Sequence, residues 1–180
     1  MSGSLIELGM AATALALMLS VVAAVLALLG EHLRRPAYVV VARQALVANF
    51  ALVTLGCFTV VWSFVQNDFS VAYVAQNSNT RLPLIYRVTA LWGAHEGSLL
   101  LWLWILTLYS ALAVVWHRDT HPRSMPYVIA TLAGVQFGFL ALIVFLSSPF
   151  TELVPPPPDG RELNPLLQDP GLIIHPPLLY

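Results

Sequence analysis

Four long apolar stretches, separated by short intervals rich in proline, glycine and arginine, set the pattern of this chain. They run from about Leu5 to Leu29, Ala45 to Val65, Leu99 to Trp116 and Tyr127 to Leu146. A helix needs roughly 20 residues to cross a hydrocarbon core, so each stretch predicts a transmembrane helix. Helix breakers stand between them: Gly30 and Pro36 after the first, Pro83 before the third, Pro122 and Pro126 before the fourth, and Pro149 after it. No repeat at a solenoid period is visible. The expected fold is therefore all-α, a polytopic membrane helical bundle over residues 1–148 followed by an external Pro-rich segment over 149–180. The first helix is expected to stay in place. The residues before it include Glu7 and no basic group, and its apolar run is longer than a signal-peptide core.

Composition agrees with a bilayer protein, with 58% hydrophobic and 9% charged residues and a mean hydropathy of +0.78. A net charge of −1 and arginines scattered along the loops give no field for nucleic acid, so no nucleic-acid partner is expected. Cys57, inside an apolar run, offers neither a disulfide framework nor a metal pair and reads as a packing residue. The arginines set an orientation, because short cytoplasmic loops retain positive charge. Arg34, Arg35 and Arg43 follow the first span and Arg118 and Arg123 the third, against Arg81, Arg87 and Arg161 on the other side. Both termini are expected to face outward.

Two stretches ask for more than spanning or connection. In "YRVTALWGAHEGSLLLWLW", His95 and Glu96 lie at the outer mouth of the third span, where helical spacing puts Trp92, His95, Leu99 and Trp102 on one face. Gly93 and Gly97 would let a helix or a flat ligand approach the backbone. Trp92 and Trp116 are 24 residues apart, about 36 Å of helix, which suits two interfacial belts. One reading is an aromatic anchor with a satisfied His–Glu pair at the water boundary. The other is a functional site, because ionisable groups at membrane depth are candidates by default. A zinc protease motif is excluded, since the second histidine it needs is replaced by Leu99.

The second stretch is the tail, "SSPFTELVPPPPDGRELNPLLQDPGLIIHPPLLY". Pro155 to Pro158 predict a stiff extended segment. Asp159 with Gly160, Asn164 with Pro165, and Asp169 with Pro170 and Gly171 are turn signals. His175 precedes Pro176 and is expected in an extended conformation, projecting its imidazole between Leu172, Ile173 and Ile174 on one side and Leu178 and Leu179 on the other. That suits a neutral imidazole offered to a metal with an apolar periphery, such as haem iron. The alternative is a solvent-facing histidine without a partner. His32, His117 and His121 read as polar loop residues.

"YRVTALWGAHEGSLLLW" followed by "PPPPDGRELNPLLQDPGLIIHPPLLY" resembles the N-terminal part of CcmF, the large integral membrane subunit of the System I cytochrome c haem lyase, with relatives in nitrite reductase maturation. The resemblance runs along nearly the whole chain. It implies a complex that takes haem from a periplasmic haem chaperone and joins its vinyl groups to the CxxCH thiols of apocytochrome c. It implies that His175 is an axial ligand to the iron of that external, transferred haem. Trp92, Gly93, His95, Glu96, Gly97 and Ser98 form a family signature whose role stays open, between support of the haem environment and of an electron donor. No catalytic residue is assigned.

The implied partners are the membrane, the rest of the lyase polypeptide, the haem chaperone, the apocytochrome-binding subunits and apocytochrome c. The implied location is a bacterial inner membrane, with the mitochondrial inner membrane as an alternative. The family continues through further helices, a Trp-rich loop, the partner of His175 and the ligands of a permanent b-type haem, all outside this sequence. The chain is thus expected to be a fragment, a truncated gene model or one piece of a split lyase, inactive alone. Two other classes stay open: a haem transporter, which predicts a polar path or broken helices, and a structural subunit of a respiratory assembly.

Overall fold

A computed structural model describes residues 3–117 and 121–179. Arg118 and Tyr180 lie outside the described residues. Among the described residues the α-helices are α1 (Gly3–His32), α2 (Pro36–Gln66), α3 (Ala72–Asn77), α4 (Leu84–Thr89), α5 (His95–Trp116), α6 (Met125–Phe145) and α7 (Pro170–Leu179). Short 3-10 turns cover Ala90–Trp92 and Pro165–Gln168. Helices α1, α2, α5 and α6 are long and apolar enough to cross a membrane, and the protein is a multi-pass membrane protein.

All four long helices start before their apolar runs, α2 and α5 by the most. Helix α2 begins at Pro36 rather than Ala45, and α5 at His95 rather than Leu99. Pro36 costs nothing in a first turn, where its missing N–H has no intrahelical acceptor. The helix then continues through Arg43 because backbone hydrogen bonding does not depend on side-chain polarity. Hydropathy marks the part of a helix inside the hydrocarbon; the helix itself extends beyond it.

Small residues hold the bundle together. Along α1 the buried positions Gly9, Ala12, Thr13, Ala16, Ser20, Ala23, Ala27 and Gly30 recur at steps of three and four. Such a stripe lets helix backbones approach closely where lipid gives no hydrophobic drive for association. At Gly56 of α2 an added Cβ would lie 3.0 Å from the Thr13 methyl, and at Gly9 it would run into the Thr59 hydroxyl. Buried Val53, Val60 and Phe64 of α2, Leu100 and Leu103 of α5, and Leu140 and Ile143 of α6 fill the core. A polar tie crosses it: Asn49 Nδ2 of α2 donates to Gln136 Oε1 of α6 at 3.1 Å, with both side chains fully buried.

The bundle has two unlike ends. One carries the α1–α2 and α5–α6 connections, with Arg34, Arg43 and Arg123 around a cavity of about 490 Å³ that also includes Glu31. The other is covered by a cap that residues 67–94 and 147–173 build together. Within the cap the Ala72 N–H donates to the Thr151 carbonyl at 2.8 Å, the Leu153 N–H to Ser70 at 2.7 Å and the Arg161 N–H to Ala75 at 2.7 Å. Phe69, Val71, Tyr73, Val74, Leu82, Phe150 and Leu163 are buried there. The Pro-rich tail is thus laid onto the bundle by backbone pairing.

Candidate functional site

The Trp92–Ser98 segment sits where the cap meets α5. Trp92 closes the 3-10 turn, Ala94 is extended at φ −145° and ψ 178°, and α5 starts at His95. The chain therefore breaks between Trp92 and His95. Sequence spacing had put Trp92 on one helical face with His95, Leu99 and Trp102; the break removes Trp92 from that face. Trp92 and Trp116 likewise do not bound one helix, since α5 itself has 22 residues, about 33 Å.

Tyr73 causes the break to persist. Its hydroxyl donates to the Leu91 carbonyl at 2.9 Å and accepts from the Ala94 N–H at 3.2 Å, pairing backbone groups that a continuous helix would have paired itself. Gly97 makes room for this. An added Cβ there would overlap the Leu91 carbonyl oxygen and come within 2.5 Å of the Tyr73 hydroxyl. The Ser98 hydroxyl reaches back to the Trp92 carbonyl at 3.1 Å. Glu96 lies in the first turn of α5, where a negative charge meets the positive end of the helix dipole. His95 is exposed and Glu96 half-buried.

The tail places His175 differently from its sequence expectation. Instead of lying extended, His175 is inside helix α7. Asp169 starts that helix: its Oδ1 accepts from the Gly171 N–H at 2.8 Å and the Leu172 N–H at 3.3 Å, and Pro170 takes the first turn. The Asp-Pro-Gly that signals a turn is therefore a helix cap, and the helix it starts outweighs the extended preference of a residue before proline. Leu172, His175 and Leu178 share one face at spacings of three, and all are exposed. Ile173 points the other way and is buried.

The two motifs meet. Trp92 Nε1 donates to the Ile173 carbonyl oxygen at 3.0 Å. Beside this bond, Leu163 packs where Gly93 lacks a side chain, its Cδ1 3.0 Å from the position a Cβ would take.

The family described as "Cytochrome C assembly protein" matches residues 92–180, a region that begins at Trp92 and contains both motifs. The cytochrome c-type biogenesis protein CcmF of Haemophilus influenzae is 41% identical over 175 residues, covering 97% of this chain and 27% of that protein. CcmF of Escherichia coli is 52% identical over 127 residues, covering 69% of this chain and 20% of its own length. A probable cytochrome c-type biogenesis protein NrfE of Escherichia coli is 42% identical over 151 residues, covering 84% of this chain and 27% of its own length. A solved structure, cytochrome c heme lyase CcmF, superimposes with a TM-score of 0.83 at 30% identity, over 98% of this chain and 27% of that one. The chain belongs to the CcmF family. It spans about a quarter of the length of the relatives it matches.

In this CcmF-family chain the structure joins the Trp92 segment to the His175 helix through one hydrogen bond, and it leaves His95 and His175 both exposed. Among the described residues no three His, Cys, Asp or Glu side chains gather as a metal-binding group. An axial imidazole needs no such group, because the porphyrin supplies the other nitrogens. Sequence reading missed Tyr73, which stands in the short helix α3 with no motif around it. Asn49 and Gln136 were also passed over, although a lone amide in an apolar run is a visible signal.

Proposed function

We propose that this chain is the N-terminal section of a cytochrome c haem lyase and that His175 is one axial ligand to the haem being attached. One observation carries this reading: an exposed imidazole stands on a short helix between exposed Leu172 and Leu178, above the capped end of a membrane bundle. An imidazole flanked by apolar side chains fits haem, whose iron takes nitrogen and whose periphery is largely hydrocarbon. Membership of the CcmF family supports the same reading.

The reaction asks little covalent chemistry of the protein. Each apocytochrome thiol adds across a haem vinyl, sulfur bonding the inner carbon and hydrogen the outer one, so the addition is balanced without a leaving group. The contribution of His175 is to hold the ring system in one orientation while the thiols approach. Haem, a haem chaperone, apocytochrome c and the remainder of the lyase polypeptide are the proposed substrates and partners. The proposed setting is a bacterial inner membrane with the capped end facing outward, in agreement with Arg34, Arg35, Arg43 and Arg123 at the other end.

The test is haem spectroscopy on the intact lyase polypeptide. His175→Ala is expected to lose the external haem signature and cytochrome c maturation, with added imidazole restoring part of the spectrum. Unchanged external haem in His175→Ala would overturn the assignment.

A further inference from the structure

A proline inside a helix removes one backbone donor, and the carbonyl four residues earlier is left without its partner. In α7, Pro177 does this to Ile173. Ile173 is only 9% exposed, so water cannot readily substitute, and an unpaired buried carbonyl is costly. The Trp92 indole N–H occupies the vacant position, 3.0 Å from the Ile173 oxygen. The indole is itself fixed at its backbone: Ser98 Oγ holds the Trp92 carbonyl at 3.1 Å, and the Gly93 N–H closes the 3-10 turn on Ala90 at 2.9 Å.

The register of the helix gives this bond a directional effect. Residues two apart on an α-helix point about 200° away from each other. A bond that holds Ile173 against the cap therefore turns His175 outward, onto the face it shares with Leu172 and Leu178. We propose that Trp92 is a positioning residue for His175: its N–H replaces the donor that Pro177 removes and locks the rotation of α7 so that the imidazole faces the haem. This rests on the reading of His175 as haem ligand. It gives the Trp92–Ser98 signature a mechanical role, with Gly93, Gly97 and Ser98 shaping the turn that presents the indole.

The test again uses the intact lyase polypeptide. Trp92→Phe keeps a ring and deletes the N–H, whereas Pro177→Ala returns a backbone N–H to the Ile173 carbonyl. Trp92→Phe is expected to speed amide hydrogen exchange at residues 171–175 by about tenfold in haem-free protein. It is also expected to shift the reduction potential and absorption of the external haem. In Trp92→Phe/Pro177→Ala the exchange returns toward wild type, because the Ile173 carbonyl regains a donor within α7, whereas the haem shift persists, because that bond does not tie α7 to the cap. Because the double variant carries the same Phe, its recovery of exchange separates the hydrogen bond from indole packing.

Wild-type exchange in Trp92→Phe, no recovery of exchange in the double variant, or full recovery of its haem signature overturns the proposal. His175→Ala separates it from the parent reading. If that variant loses the external haem signature while Trp92→Phe changes neither readout, the ligand stands and the positioning role falls. If it keeps a wild-type external haem spectrum, both fall.

Discussion

Gly97 has no space for a side chain, because the Leu91 carbonyl and the Tyr73 hydroxyl already occupy the place of its Cβ. Both neighbours are held by hydrogen bonds, so neither can move away cheaply. Gly97→Ala is expected to destabilise the protein by about 1–3 kcal/mol, the usual cost of overpacking, read as a lower Tm of the purified protein in detergent. Asp159 is a second single-residue control. Its carboxylate accepts from the Thr80 N–H at 3.0 Å, the Gly160 N–H at 2.8 Å and the Thr80 hydroxyl at 2.9 Å. These bonds, the Thr80 backbone N–H foremost, with the nearby Arg81 charge adding to them, hold Asp159 below the ordinary carboxylate range. A group depressed in the folded state stabilises fully above its unfolded value, near pH 4, and the contribution disappears as pH falls through the lower folded value. Protease cleavage within residues 155–161 is therefore expected to stay constant from about pH 7 to 5 and to rise below about pH 4. In Asp159→Asn the protection is expected to be lost already at neutral pH.

At the scale of elements, polar groups decide which helix meets which. The Asn49–Gln136 bond ties α2 to α6 inside the bundle, and Asn49 Oδ1 and Gln136 Nε2 have no hydrogen-bond partner among the described residues. Replacing one amide leaves the other buried alone, whereas replacing both removes the demand altogether. Asn49→Leu and Gln136→Leu are each expected to cost about 1–2 kcal/mol, and the double variant no more than the worse single one. Fully additive losses in a denaturation cycle would show that the two amides act independently. The same scale explains why α7 was misread from sequence. Asp169, Pro170 and Gly171 begin a turn and a helix equally well, and two later prolines argue against a helix. Beside the Asp169 cap, the helix has the Trp92 indole, which stands 81 positions away in sequence from the Ile173 carbonyl it meets. No local pattern contains that bond.

For the whole molecule, the unlike ends support the proposed orientation in a bilayer. Arg34, Arg35, Arg43 and Arg123 stand at one end, while Glu152, Asp159, Glu162 and Asp169 belong to the capped end. If the capped end faces outward as proposed, Glu162→Cys is expected to react with a membrane-impermeant maleimide in intact spheroplasts. Arg35→Cys is expected to react only after permeabilisation. Both positions are exposed, and native Cys57 is buried, so the label reports sidedness. The reverse labelling pattern would invert the orientation. The outer faces of the long helices remain apolar, with Met18, Val25, Phe58, Trp62, Tyr109 and Phe145 exposed. They suit lipid or the further helices of a longer relative, which this chain matches over about a quarter of its length.

Sequence by itself determined the four spans, the all-α class and the two motifs, because bilayer thickness makes a span a local property of about 20 apolar residues and both motifs are contiguous. The candidate ligand His175 was legible for the same reason. Only the tertiary structure decided that the tail pairs with the 67–94 segment, that Tyr73 breaks the chain ahead of α5, and that His175 is helical. Those outcomes depend on which distant donor meets which orphaned carbonyl, and that is settled only when separate parts of the chain pack together.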